Sequence, residues 1–151
     1  MTTMDTEILA DAIREKHRCL VQLRDMGRRQ LELIDVGNMT GLLDVLAAKQ
    51  RTLSLLQGIE RRLEPFRNQA PETRRWPAPE ARAACAEQLR QCEALLSEIV
   101  CQEKFSESVL VRRRDEAAER LRGVNLAGQA RGAYALAPHA GVHQVDLLSD
   151  R

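Results

Sequence analysis

Three cysteines stand close enough in the chain to invite a metal reading. Cys85, Cys92 and Cys101 are separated by seven and nine residues, with Cys19 far upstream. Two thiolates that share one zinc ion usually stand two to four residues apart, so this spacing fits no metal site. Seven residues is two turns on one face of a helix, and Cys85 and Cys92 there read as small apolar core residues. Without a secretory leader the four are expected to be free thiols in a reducing compartment. His139 and His143 are four apart, as in a helical zinc pair, but Pro138 and Gly141 argue against a helix there. The glutamate of an H-E-x-x-H motif is also missing. His17 stands alone on a polar stretch, so no metal site is expected.

Arg112, Arg113 and Arg114 form the densest basic run. Asp115, Glu116 and Glu119 follow within two turns, and Arg112 with Glu116 has the spacing of an ion pair on one helix. A nucleic-acid surface would leave such a run unneutralised and interleave it with aromatic rings. Neither condition holds. The whole chain carries 23 basic and 22 acidic side chains, a net charge of +1, which directs it to neither nucleic acid nor an anionic membrane. There is no phosphate-binding glycine loop, no G-x-S-x-G and no recognisable carboxylate pair. The expectation is a protein that binds other proteins, with no enzymatic activity, no cofactor and no metal.

What would position such a binding surface is a set of helices. The chain is 44% hydrophobic but only 3% aromatic, and rich in Leu, Ala, Glu and Arg, the residues that lose least freedom in a helix. Leu9, Ile13, Leu20, Leu23 and Ile34 recur in steps of three and four, predicting a first helix over 6–36, with Lys16 and Gln30 interrupting its stripe. Gly37-Asn38 supplies the stop. Leu42, Leu46, Lys49, Leu53, Leu56 and Leu63 predict a second helix over 39–66, folded back on the first by the short link. Pro71, Pro77 and Pro79 break the pattern and mark a loop. Trp76 within it is expected to cap one end of the bundle, the alternative being a partner anchor.

A third helix is predicted over 80–122, ending at Gly123, with Cys85, Leu89, Cys92, Leu96 and Ile99 facing inward. A short helix over 125–135, capped by Asn125, and a flexible tail over 136–151 would follow. The expected fold is all-α, a single domain over 1–151: an antiparallel bundle of three long helices plus a short C-terminal one. Leu20, Leu23, Leu46, Leu53, Leu56, Leu89, Leu96 and Ile99 are expected in its core. No run of about 18 apolar residues spans a membrane, and no basic segment followed by an apolar one marks a secretory leader. A cytoplasmic protein is expected.

The third helix outruns its partners. At ~1.5 Å per residue, about 43 residues reach roughly 65 Å, against 42 to 47 Å for the first two. The third helix is therefore expected either to overhang the hairpin or to kink near Ser106 and Ser108, and Phe105, Val109, Leu110, Ala117, Leu121, Val124 and Leu126 lie beyond the hairpin's reach, with Tyr134 farther on. An apolar stripe without an internal partner calls for an external one. The alternative is that 124–134 folds back to cover it.

The stretch Leu31 to Phe66 carries a helix ending in Gly37-Asn38, then Leu42-Leu43, a central Lys49 and the leucines from Leu53 to Leu63. It resembles the pattern of the FlgN family. Leu121 to Ala135, a glycine-containing segment with Tyr134 near its end, resembles the family's C-terminal segment, and Val145 to Leu148 its closing one. The resemblance implies a cytosolic chaperone of flagellar type III export. Such proteins bind the C-terminal helices of hook–filament junction proteins of the FlgK and FlgL kind, prevent premature assembly and deliver them to the export apparatus. A self-associating coiled-coil protein is the second reading, and a helical nucleic-acid binder the third.

Overall fold

The computed structural model describes residues 2–136. Within them lie three α-helices, α1 (Thr3–Val36), α2 (Met39–Arg67) and α3 (Pro79–Leu136), a short 3-10 turn at Pro71–Thr73, and no strand. No helix among the described residues is long and apolar enough to cross a membrane.

The ends of α1 and the start of α2 follow from local chemistry. Thr2 accepts a hydrogen bond from the Asp5 amide, and the Asp5 carboxylate accepts one from the Thr2 amide at 2.8 Å, a reciprocal capping box. At the other end Gly37 takes φ 73°, where any side chain would be strained. Its amide and that of Asn38 return to Ile34 and Leu33, the latter at 2.9 Å, closing the last turn. Asn38 at once caps the next helix, accepting from the Gly41 amide at 2.9 Å. Two residues thus stop one helix and start another. The chain reverses, and Lys16 meets Glu60 at 2.8 Å while Arg62 reaches Glu15.

The chain divides into two compact units, residues 1–108 and 109–151. In the first, Leu9, Ala12, Ile13 and Cys19 of α1 share a core with Ile59 and Leu63 of α2 and Cys85 of α3. Farther along, Leu20 and Leu23 pack with Cys92 and Leu95 of α3. Trp76 packs against the first of these clusters, in keeping with a cap. Its loop is tied down on both sides: the Thr6 hydroxyl donates to the Arg75 carbonyl at 2.6 Å, and Arg74 donates to the Phe66 carbonyl at 2.9 Å.

Four expected core positions are corrected. Leu46, Leu53, Leu89 and Leu96 are 40%, 39%, 39% and 37% exposed. Packing against α1 turns α2 so that Leu42, Lys49, Thr52, Ile59 and Leu63 point inward, which leaves Leu46 and Leu53 of the expected row at the edge. Leu20 and Leu23 are buried as expected, and Leu56 and Ile99 are partly so. The break expected at Gly123 is also absent, for α3 runs on through it to Leu136. A helical glycine costs about 1 kcal/mol, less than ending one helix and nucleating another over three residues. No separate helix over 125–135 forms. The tail with His139, His143 and Val145 to Leu148 lies outside the described residues.

Candidate partner-binding surface

In the second unit the described residues, 109–136, are one helical stretch. At about 100° per residue, Leu110, Ala117, Leu121 and Val124 fall on one side. Leu121 is 64% exposed and Val124 nearly as much, while Leu110 and Ala117 are partly buried. Because the helix does not break, its phase carries on past Gly123. Leu126 therefore lies about 140° round from Leu121, and Tyr134, 84% exposed, lies off the row as well. Val109 stands at its edge. Phe105 belongs to the first unit and is exposed there. Of the residues singled out from sequence, the structure aligns four and leaves four aside. What continues the row is small: Gly128, Gly132 and Ala135, with open space around both glycines.

The basic run is answered within its own helix. Arg114 lies 3.4 Å from Asp115, and Arg122 lies 4.0 Å from Glu119. These exposed pairs add little stability. They keep the polar side of the stretch mixed in sign.

The first unit holds a polar layer that the helical pattern only hinted at. The Lys49 ammonium, on a side chain 9% exposed, donates to Gln30 Oε1 at 2.7 Å and to the Glu103 carboxylate. Burial pushes its pKa below the ordinary lysine value. Beside it the Gln102 amide donates to the Arg24 carbonyl at 3.1 Å. Gln102 lies directly over Gly27, where any Cβ would collide with its amide oxygen. Gln30 and Lys49 are the two polar interruptions of otherwise apolar rows, and their pairing was the signal available in the sequence. One polar layer of this kind favours a single register of the three helices over slipped ones.

Cys19, Cys85 and Cys92 are buried, and burial raises each pKa, which keeps the thiols protonated and unreactive. No group of His, Cys, Asp and Glu suited to a metal ion occurs among the described residues. A crevice lined by the apolar side chains of Leu9, Ile13, Leu63, Phe66 and Leu89, with Cys92 and the cationic Lys16, Arg67 and Arg74, opens among the helices of the first unit.

No family model, no curated protein and no solved structure matches the chain.

Proposed function

We propose that this chain is an export chaperone of the FlgN kind, an antiparallel bundle of three long helices that holds an amphipathic helix of a client protein in the cytoplasm. The observation that carries the reading is the apolar row Leu110, Ala117, Leu121 and Val124, half-buried at its first two positions and exposed at its last two, on a helical stretch whose described residues are mostly exposed. An amphipathic helix laid along this row would bury its own apolar face and that of the row together, the helix-in-groove mode of recognition. The driving force would be aliphatic burial, at roughly 25 cal/mol per Å² before ordering costs. Affinity should then respond weakly to salt.

The clients suggested by the resemblance are the C-terminal helices of hook–filament junction proteins, held from premature assembly and passed to the type III export apparatus. Tyr134, beyond the row and exposed, is an anchor for the client or for that apparatus. Calorimetry with C-terminal peptides of junction proteins tests the reading. The Leu110→Asp, Leu121→Asp double variant should keep its helicity and lose binding. Unchanged affinity in a helical double variant would sink it.

A further inference from the structure

The helical stretch from 109 to 136 bears six arginines against three acids, and the two signs are not spread evenly around it. At about 100° per residue, Leu110, Ala117, Leu121 and Val124 all fall within about 30° of the centre of their row. Arg113, Arg114 and Arg131 stand about 50° from that centre, and Arg120 about 70°. Asp115, Glu116 and Glu119 all stand about 110° or more away, on the far side of the helix with Arg112 and Arg122. The row is therefore edged by arginines and by no acid.

Part of this edge is already answered. Arg114 reaches Asp115 at 3.4 Å, and on the far side Arg122 reaches Glu119 at 4.0 Å. Arg120 and Arg131 are exposed and have no carboxylate at ion-pair distance among the described residues. Eleven residues is close to three full turns, so the two stand almost in line along one edge of the row, about 16 Å apart. Leu121, Val124 and Gly128 lie between them in the sequence. An added Cβ at Gly128 meets nothing within 4 Å, which leaves room there for a larger side chain of a partner. The guanidinium fork matches a carboxylate in geometry as well as in charge.

We propose that the partner of this row is an amphipathic helix whose apolar face is edged by Asp and Glu, set to meet Arg120 and Arg131. Burial along the row supplies most of the attraction. The arginine edge chooses between helices of equal apolar content, because charges at the rim of an interface act on specificity and encounter more than on affinity. A helix edged by lysines would set like charge against Arg120 and Arg131. This inference rests on the row being a client site, and it names the chemistry of the client: aliphatic residues facing the row, with carboxylates beside them.

The test uses the full chain and two synthetic helical peptides that share one leucine row and differ only in carrying Glu or Lys along its edges. Fluorescence anisotropy should show the Glu peptide binding about fivefold or more tighter. Raising the salt concentration should shrink that preference while binding by the row itself persists. The Arg120→Glu, Arg131→Glu double variant should reverse the preference with helicity unchanged by circular dichroism. Arg112→Glu with Arg122→Glu makes the same change in net charge on the far side and should leave the preference in place. A far-side variant that reverses it as fully as the edge variant overturns the proposal, since net charge and not the edge would then be read. Phosphatidylserine vesicles that displace the Glu peptide only while Arg120 and Arg131 are intact would assign the edge to a membrane surface and overturn it too. Two peptides of equal affinity, both lost in the Leu110→Asp, Leu121→Asp variant, overturn this inference and leave the client reading standing. Junction-protein peptides that fail to bind while the Glu peptide is preferred count against the chaperone reading alone.

Discussion

The helical stretch from 109 to 136 and the unit that ends at Ser108 are made of similar residues and lead different lives. In the first unit Leu20 is fully buried, touching neighbours from α3, and Ile34 is nearly so. In the second, Leu121 and Val124 are spaced as in any amphipathic helix, yet more than half their surface is open. The comparison teaches that an apolar row states a need for a partner and does not say whether the same chain provides it.

The largest effect that would sharpen this contrast is a truncation made in both regions. Leu20→Ala should cost about 2–5 kcal/mol of unfolding free energy, a buried leucine replaced by a cavity. Leu121→Ala should leave the denaturant midpoint of the first unit nearly unchanged. Urea titration followed by circular dichroism measures both, and a Leu121→Ala loss equal to that of Leu20→Ala would show that the row is covered within the chain.

Next in size is the polar layer. Removing Glu103 leaves a buried ammonium with Gln30 alone, which should be clearly destabilising, whereas Lys49→Met should be near neutral or stabilising. The same lysine makes stability depend on pH. Burial lowers its folded pKa below the unfolded 10.5, so between the two values the unfolded chain binds more protons. The Lys49 contribution to unfolding free energy should therefore rise with pH through the window just under 10.5. Urea titrations across that window should show a rise in the parent that Lys49→Met lacks.

Glycines give a smaller test of the same comparison. An added Cβ at Gly128 meets open space, so Gly128→Ala should stabilise its helix by about 0.5–1 kcal/mol. At Gly27 the methyl would displace the Gln102 amide from its bond to the Arg24 carbonyl. Gly27→Ala should therefore gain nothing or lose stability despite the same propensity advantage, as read by thermal melts. The smallest expected effect is at the surface: Arg28→Ala, which removes a 3.2 Å pair with Glu98, should change stability by under about 1 kcal/mol.

Much of the helical order was legible from residue types. The periodicity of Leu9, Ile13, Leu20 and Leu23 needs only a helix and one wet side, and Gly37-Asn38 carries its stop and start signals in two adjacent residues. The rotation of α2 was not legible. Leucines at 46 and 53 make as good a row as Thr52 and Ile59 until α1 lies alongside and selects one of them. Gly123 misled for a related reason. A helix-weakening residue is a local cost, and whether it ends a helix depends on the good helix formers on either side.

The sequence by itself determined that this chain is helical, that its first two long helices reverse at residue 37, and that apolar positions outnumber what a hairpin can cover. Those are properties of short-range geometry and of solvent, and each residue declares them alone. Only the tertiary structure decided which leucines are inside, that Lys49, Gln30 and Glu103 meet, and that one unbroken α3 keeps Leu110, Ala117, Leu121 and Val124 in phase while carrying Leu126 off their line. Burial and phase are set by the neighbours a helix finds and by the continuity of its backbone, and neither is a property of any residue taken singly.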